Sequence, residues 1–114
     1  MSDSILHNTK KYLGIAETYT IFDMDIMMQI NSGFATLNQM GVGPADPYFI
    51  TDGDAVWSEF AGGDAFLTSL VKEYIWIKAK IGFDPPSAAS LLDAFREQLQ
   101  QVSWRLNVYS DKSV

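Results

Sequence analysis

The sequence predicts an all-α fold, a small bundle of four to five helices with one long Gly/Pro-rich loop that is a candidate for a short strand or hairpin. Three observations predict it. Four stretches repeat apolar residues at three- and four-residue spacing. Capping residues or prolines precede these stretches, and glycine follows two of them. Between Gly41 and Gly63 the helical period breaks, and glycines and prolines punctuate the chain instead.

The first helix is expected from about Ser4 to Leu13, with Asp3 or Ser4 capping its free amides. Leu6, Thr9, Lys10 and Leu13 share one face, with Ile5 and Tyr12 at its edge. Gly14 stands where a left-handed residue ends a helix, and Ile15 supplies the apolar contact that folds back. The second helix runs from about Asp23 to Met40. Asp23 is read as its cap, and Asp25 favours the positive N-terminus. Ile26, Ile30, Gly33, Phe34, Leu37 and Met40 form its apolar stripe. Gly33 costs about 1 kcal/mol against alanine in a helix interior, and its reading is close approach of a neighbouring helix. Gly41 ends the helix.

In the loop that follows, Tyr48-Phe49-Ile50-Thr51 is a candidate strand. Asp54 to Phe60 is a candidate short helix, with Asp54 as cap and Trp57 and Phe60 inward. A loop this long in a small domain is usually functional or mobile. The third helix is expected from its cap Asp64 to about Ile81, with a stripe of Leu67, Leu70, Val71, Tyr74, Ile77 and Ile81. Trp76 and Ala79 lie on the other side, so this helix is expected at the centre or with a second partner. Pro85 forces Asp84 out of helical geometry, and Asp84 or Ser87 is read as the cap of the last helix. There Leu92, Phe95, Leu99, Val102 and Leu106 make an inward seam. Trp104 falls on the opposite face, with Val108, Glu97 and Gln101, by the ~100° turn per residue.

A chain of 114 residues, 47% of them apolar, is expected to form a single domain with one modest core. It has no cysteine, so no disulfide framework and no thiolate metal site. Met1-Ser2-Asp3-Ser4 does not read as a secretory signal, and no apolar run approaches membrane-span length. The formal charge of −6 argues against a free-standing nucleic-acid binder.

No residue set announces catalysis. Tyr19-Thr20-Ile21-Phe22-Asp23-Met24-Asp25 looks like the nucleophile motif of haloacid-dehalogenase-type phosphatases, in which a strand ends in two carboxylates. That family follows the second Asp with Gly and Thr; here Ile26-Met27 continues a helix, and the chain is too short for the required sheet. Asp46, Asp52, Asp54 and Asp64 lack the ligand spacing of a calcium loop and read as turn and cap residues. His7, the sole histidine, has no cysteine to activate, and neither a nucleophile elbow nor a Walker loop is present. Lys72, Lys78 and Lys80 with Trp76 read as a solvated face before a nucleic-acid site. No catalytic residue, cofactor or metal is therefore expected. Trp104 has two readings, as a cover for the apolar edge of the loop or as an exposed anchor for another subunit.

An ordered set of segments carries a family resemblance. It comprises Lys10-Lys11-Tyr12-Leu13-Gly14, Phe22-Asp23 with Asp25-Ile26 and Ile30-Asn31, and Leu37-Asn38-Gln39 before Gly41-Val42-Gly43-Pro44. Trp57, Lys72-Glu73-Tyr74, Phe83-Asp84-Pro85-Pro86 and Trp104-Arg105-Leu106-Asn107 complete it. From Ile5 to Asn107 the chain resembles the small helical head–tail connector (adaptor, neck-ring) proteins of tailed bacteriophages. The resemblance implies a structural virion protein of the neck, present in the host cytoplasm during assembly, and not an enzyme. It implies a cyclic ring of roughly twelve copies beneath the portal protein, joined below to a head-closure or tail-completion protein. Double-stranded DNA would pass through it, and no membrane is involved. Residues 1–114 would be one connector domain, with 104–114 as a docking tail. Portal docking then falls to Trp104, Arg105, Val108 and Tyr109. Asp46, Asp52 and Asp54 become candidates for a channel or subunit-interface loop, whose negative charge would let DNA slide. The alternative is a monomeric helical regulator or protein-interaction module; the phosphatase reading stands last.

Overall fold

Five helices make up the regular structure of residues 3–112, the part of the chain that the computed structural model describes. The first, α1 (Ile5–Tyr12), starts where Ser4 leaves extended backbone and its Oγ accepts from the His7 amide at 3.2 Å. It ends as expected at Gly14, whose φ is +80°. The Ile15 amide returns to the Lys10 carbonyl and the Gly14 amide to that of Lys11, the paired bonds of a Schellman stop. The same device ends α2 (Asp23–Gln39), where Gly41 has φ +82° and the buried Val42 bonds back to the Leu37 carbonyl.

The beginning of α2 differs from expectation. Phe22 occupies the cap position with no side-chain cap bond, and Asp23 is the first helical residue. Its carboxylate is drawn instead to the Lys10 ammonium, 2.8 Å away. Lys10 is fully buried, so it requires a charge partner more than the helix end requires a cap. The expected stripe does turn inward: Ile26, Ile30, Gly33, Phe34 and Leu37 are buried. A Cβ on Gly33 would lie 2.8 Å from Ile75 Cδ1, so the missing side chain lets a neighbouring helix approach closely.

No strand forms at Tyr48–Thr51 or elsewhere among the described residues; the one β-bridge is the isolated pair Ser4 and Val56. The loop is tied down by side chains. Asn31 donates to the Ile50 carbonyl at 2.9 Å and accepts from the Ile50 amide at 2.8 Å, giving this segment the bonds a strand partner would supply. The short helix is only α3 (Ser58–Ala61), with Trp57 at its N-cap. Asp54 does not cap it. Its amide donates to Asp52 Oδ1 in a local turn, the alternative that Asp side chains offer to helix. Trp57 and Phe60 point inward as expected and are buried.

The central position expected for the third major helix is observed. This helix, α4 (Ala65–Phe83), packs against all the others. Asp64 caps it, accepting from the Leu67 amide at 2.9 Å. The last helix, α5 (Ala89–Lys112), packs on α4, and its seam residues Val102 and Leu106 are fully buried. Neither Asp84 nor Ser87 caps it. The Leu92 amide bonds to the Ala88 carbonyl, which puts Ala88 at the cap position. Asp84 is the C-cap residue of α4 and pairs with Lys80 at 3.1 Å. The extents are 39 × 34 × 22 Å, the shortest being the thickness of two helix layers. The core centres on Phe34, whose ring lies 4.7 Å from Phe60, 5.0 Å from Tyr48 and 6.4 Å from Trp57. No helix among the described residues is long and apolar enough to cross a membrane.

Candidate functional site

The C-terminal turns of α5 carry the residues singled out for docking. Because Val102 and Leu106 face α4, the helix turns Trp104 outward, and it is 66% exposed. Trp104, Arg105, Val108 and Tyr109 do come together: with Phe66 of α4 they line a shallow hollow of about 170 Å³. Trp104 therefore stands out from the surface as an anchor would. Tyr109 has an internal task that periodicity did not show. Its ring lies 5.3 Å from Phe66, and its hydroxyl donates to Asp64 Oδ2. The neighbouring Ser110 hydroxyl donates to the Gly41 carbonyl at 2.9 Å. The end of α5 is thus fastened to the start of α4 and the end of α2.

The electrostatics agree with that fastening. The Leu67 amide, and after it the Tyr109 hydroxyl, hold the Asp64 carboxyl below its ordinary range. The same bond to Asp64 raises the Tyr109 phenol. The segment expected as the docking tail, 104–114, is helical as the last turns of α5 from Trp104 to Lys112; Ser113 and Val114 lie outside the described residues.

Asp46, Asp52 and Asp54 are all exposed on the loop between α2 and α3. Asp52 and Asp54 share one turn, anchored where Ser4 Oγ donates to the Gly53 carbonyl at 2.7 Å. Asp46 belongs to the preceding bend, beyond Pro44. Among the described residues no group of three His, Cys, Asp or Glu is placed to hold a metal ion. His7 faces Glu17 at 3.7 Å. The basic–aromatic face around Trp76 is divided. Lys72 lies 5.9 Å from the Trp57 ring, Lys80 pairs with Asp84, and Lys78 lies beside Gly33. Trp76 itself is held between Tyr12 at 5.8 Å and Phe95 at 5.7 Å.

Two features escaped sequence reasoning. One is the burial of Lys10, whose ammonium also donates to the carbonyls of Glu17 at 3.0 Å and Tyr19 at 2.8 Å. Its sequence signal was a place on the Leu6–Leu13 face. The other is a row of exposed apolar side chains, Ile21, Met24 and Met28, on and just before α2. Their spacing repeats like a core stripe, on the wrong face.

The five helices span the same stretch as a family model. The model for phage connector proteins matches residues 5–113, from the start of α1 to the end of α5. The chain belongs to the phage connector protein family. Comparison with curated proteins and with solved structures finds no match for it. The connector is thereby a structural component of the virion that associates with other head and tail proteins. Its all-α fold agrees with the sequence expectation.

Proposed function

We propose that the connector forms a closed ring beneath the portal, of roughly twelve copies by family resemblance, which joins the head to the tail and extends the DNA channel. The observation that carries this reading is Trp104, a large aromatic side chain left 66% exposed on a helix turn whose opposite residues, Val102 and Leu106, are fully buried. Trp and Arg dominate interface hot spots, and Arg105 lies beside it at the Phe66–Val108 hollow. Trp104, Arg105 and Val108 make the portal contact, and Tyr109 holds the wall of the hollow in place. A head-closure or tail-completion protein docks below. The exposed Asp46, Asp52 and Asp54 face the channel or a neighbouring copy; on a channel wall their charge repels phosphate and keeps DNA from sticking. The connector acts as a structural part with no catalytic group, in the virion neck and, before that, in the host cytoplasm.

Quantitative mass spectrometry of purified particles tests this. A copy number matching that of the portal is expected. Absence from intact, tailed particles would remove the ring and move the weight to a monomeric assembly factor or regulator.

A further inference from the structure

The exposed apolar row on α2 is not explained by the fold. Buried Ile26, Ile30, Phe34 and Leu37 define the inner face of α2, and Met28 projects roughly opposite to them at ~100° per residue. Met24 is 79% exposed, Ile21 71% and Met28 66%. Further along the same face stand Ser32 and Ala35, both small and exposed. The only ionisable group on this face is Asp25. Methionine enrichment with charge depletion is the composition of an interface core rather than of a solvated face.

The far side of α4 offers a concave surface that also carries lysine. α2 packs on α4 at Tyr74, Ile75 and Lys78, around Gly33. Ser69, Lys72 and Trp76 lie roughly 145° away around α4. They floor a groove of about 560 Å³ that Tyr12 of α1 borders. A second hollow shares Tyr12 and Lys72 with it and adds Lys11. The groove is therefore concave and aromatic, with Lys72 in its lining and Lys11 in the adjoining hollow. Carboxylates share these linings: Glu73 accepts from Gln98, Glu17 faces His7, and Asp3 lines the second hollow, so positive charge is local to Lys72 and Lys11 and not spread over the groove.

Charge along the chain matches this division. Between Lys11 and Lys72 there is no Lys or Arg, while eight Asp or Glu occur. The segment holding α2 and its loop is thus uniformly acidic, and the cations stand on α1, α4 and α5. An acidic, apolar ridge and a lysine-bearing aromatic groove lie on opposite sides of one central helix. Such a pair of surfaces joins copies head to tail, because each contact uses a different patch on each partner.

We infer that the outward face of α2 in one copy seats in the α1–α4 groove of a second copy, with Met24 and Met28 against Tyr12 and Trp76 and with Asp25 towards Lys72 or Lys11. Methionine suits this place, being flexible and favourable against aromatic rings. The inference rests on the ring proposed above and names the faces that build it.

The absence of cysteine makes the test clean. The full-length connector carrying both Met28→Cys and Ser69→Cys, two exposed positions, is incorporated into particles and treated with a short thiol crosslinker. A ladder of dimers, trimers and higher species is expected, with each single variant remaining monomeric. Lys72→Glu added to the double variant should remove most of the ladder. Dimers from Met28→Cys alone would show α2 pairing with itself and overturn the inference. So would the lack of a ladder in particles that contain the connector at portal stoichiometry, an outcome that leaves the ring standing. Absence of the connector from particles would instead remove the ring, and this inference with it.

Discussion

At the scale of single residues, the most consequential group is Lys10. Its side chain is 0% exposed, and its ammonium meets two carbonyls and one carboxylate. The Asp23 Oδ1 it faces is enclosed and takes no other hydrogen bond, so the ion pair is what offsets its burial. Removing one partner of such a pair strands the other. Lys10→Ala is expected to cost about 3–5 kcal/mol, read as a shift of the denaturant midpoint. Lys10→Ala and Asp23→Ala should be strongly non-additive, and additive losses would show that the pair is not coupled. Asp64 governs the response to acid. Its folded pKa lies below its ordinary value, so its contribution is present above that value and lost as pH falls through the lowered one. Hydrogen exchange at the Leu67 amide should therefore accelerate on the acid side of the ordinary carboxylate range. In Asp64→Asn that acid-dependent loss should disappear. The Tyr109 phenol is raised, so its part in the clasp persists through neutral pH and is lost only in alkali beyond the ordinary tyrosine value.

At the scale of elements, local rules close both early helices, and side chains hold the long loop. Gly14 and Gly41 adopt the positive φ that ends α1 and α2. The loop then depends on Asn31, which satisfies both backbone groups of Ile50, and on the Trp57 indole, which donates to Asn8 Oδ1 at 2.9 Å. Tyr48 closes the same segment by donating to Glu59 at 2.7 Å, and its phenol is raised by burial and by that bond. Asn31→Ala leaves the Ile50 groups without their partner and is expected to cost about 1–3 kcal/mol. The Ile50 amide should lose exchange protection while α4 keeps its own. Unchanged protection at Ile50 would mean that packing of the buried Ile50 side chain, and not the amide pair, fixes the loop.

At the scale of the whole molecule, α4 packs against both α2 and α5, and each of those two helices leaves large apolar side chains exposed. The fold leaves Trp104 on one surface and the methionine row of α2 on another, and neither is needed to fill the core. Trp104→Ala should then keep the helical circular dichroism and change stability by no more than about 0.5 kcal/mol. It should abolish attachment to the portal, a loss of at least about 2 kcal/mol for a hot spot. Loss of helical signal in that variant would reveal a core role and remove Trp104 from the docking surface.

The sequence by itself determined what is local. Helix periodicity placed α2, α4 and α5 within a few residues, Gly14 and Gly41 marked the stops of α1 and α2, and Asp64 was legible as a cap because a cap bond spans only three residues. The outward turn of Trp104 followed from the seam of Leu92 to Leu106 for the same reason. Tertiary structure decided whatever depends on a distant partner. Asp23 left its cap role for Lys10, thirteen positions earlier in the chain, because a buried ammonium outweighs one free amide. Tyr48–Thr51 has strand composition but met a side-chain amide instead of a second strand, so it stayed a loop. Tyr109 was drawn to Asp64 across 45 residues. The inner face of α2 was already legible in its Ile26–Leu37 stripe; what tertiary structure decided is that Ile21, Met24 and Met28 stay exposed, because α4 covers only the other side.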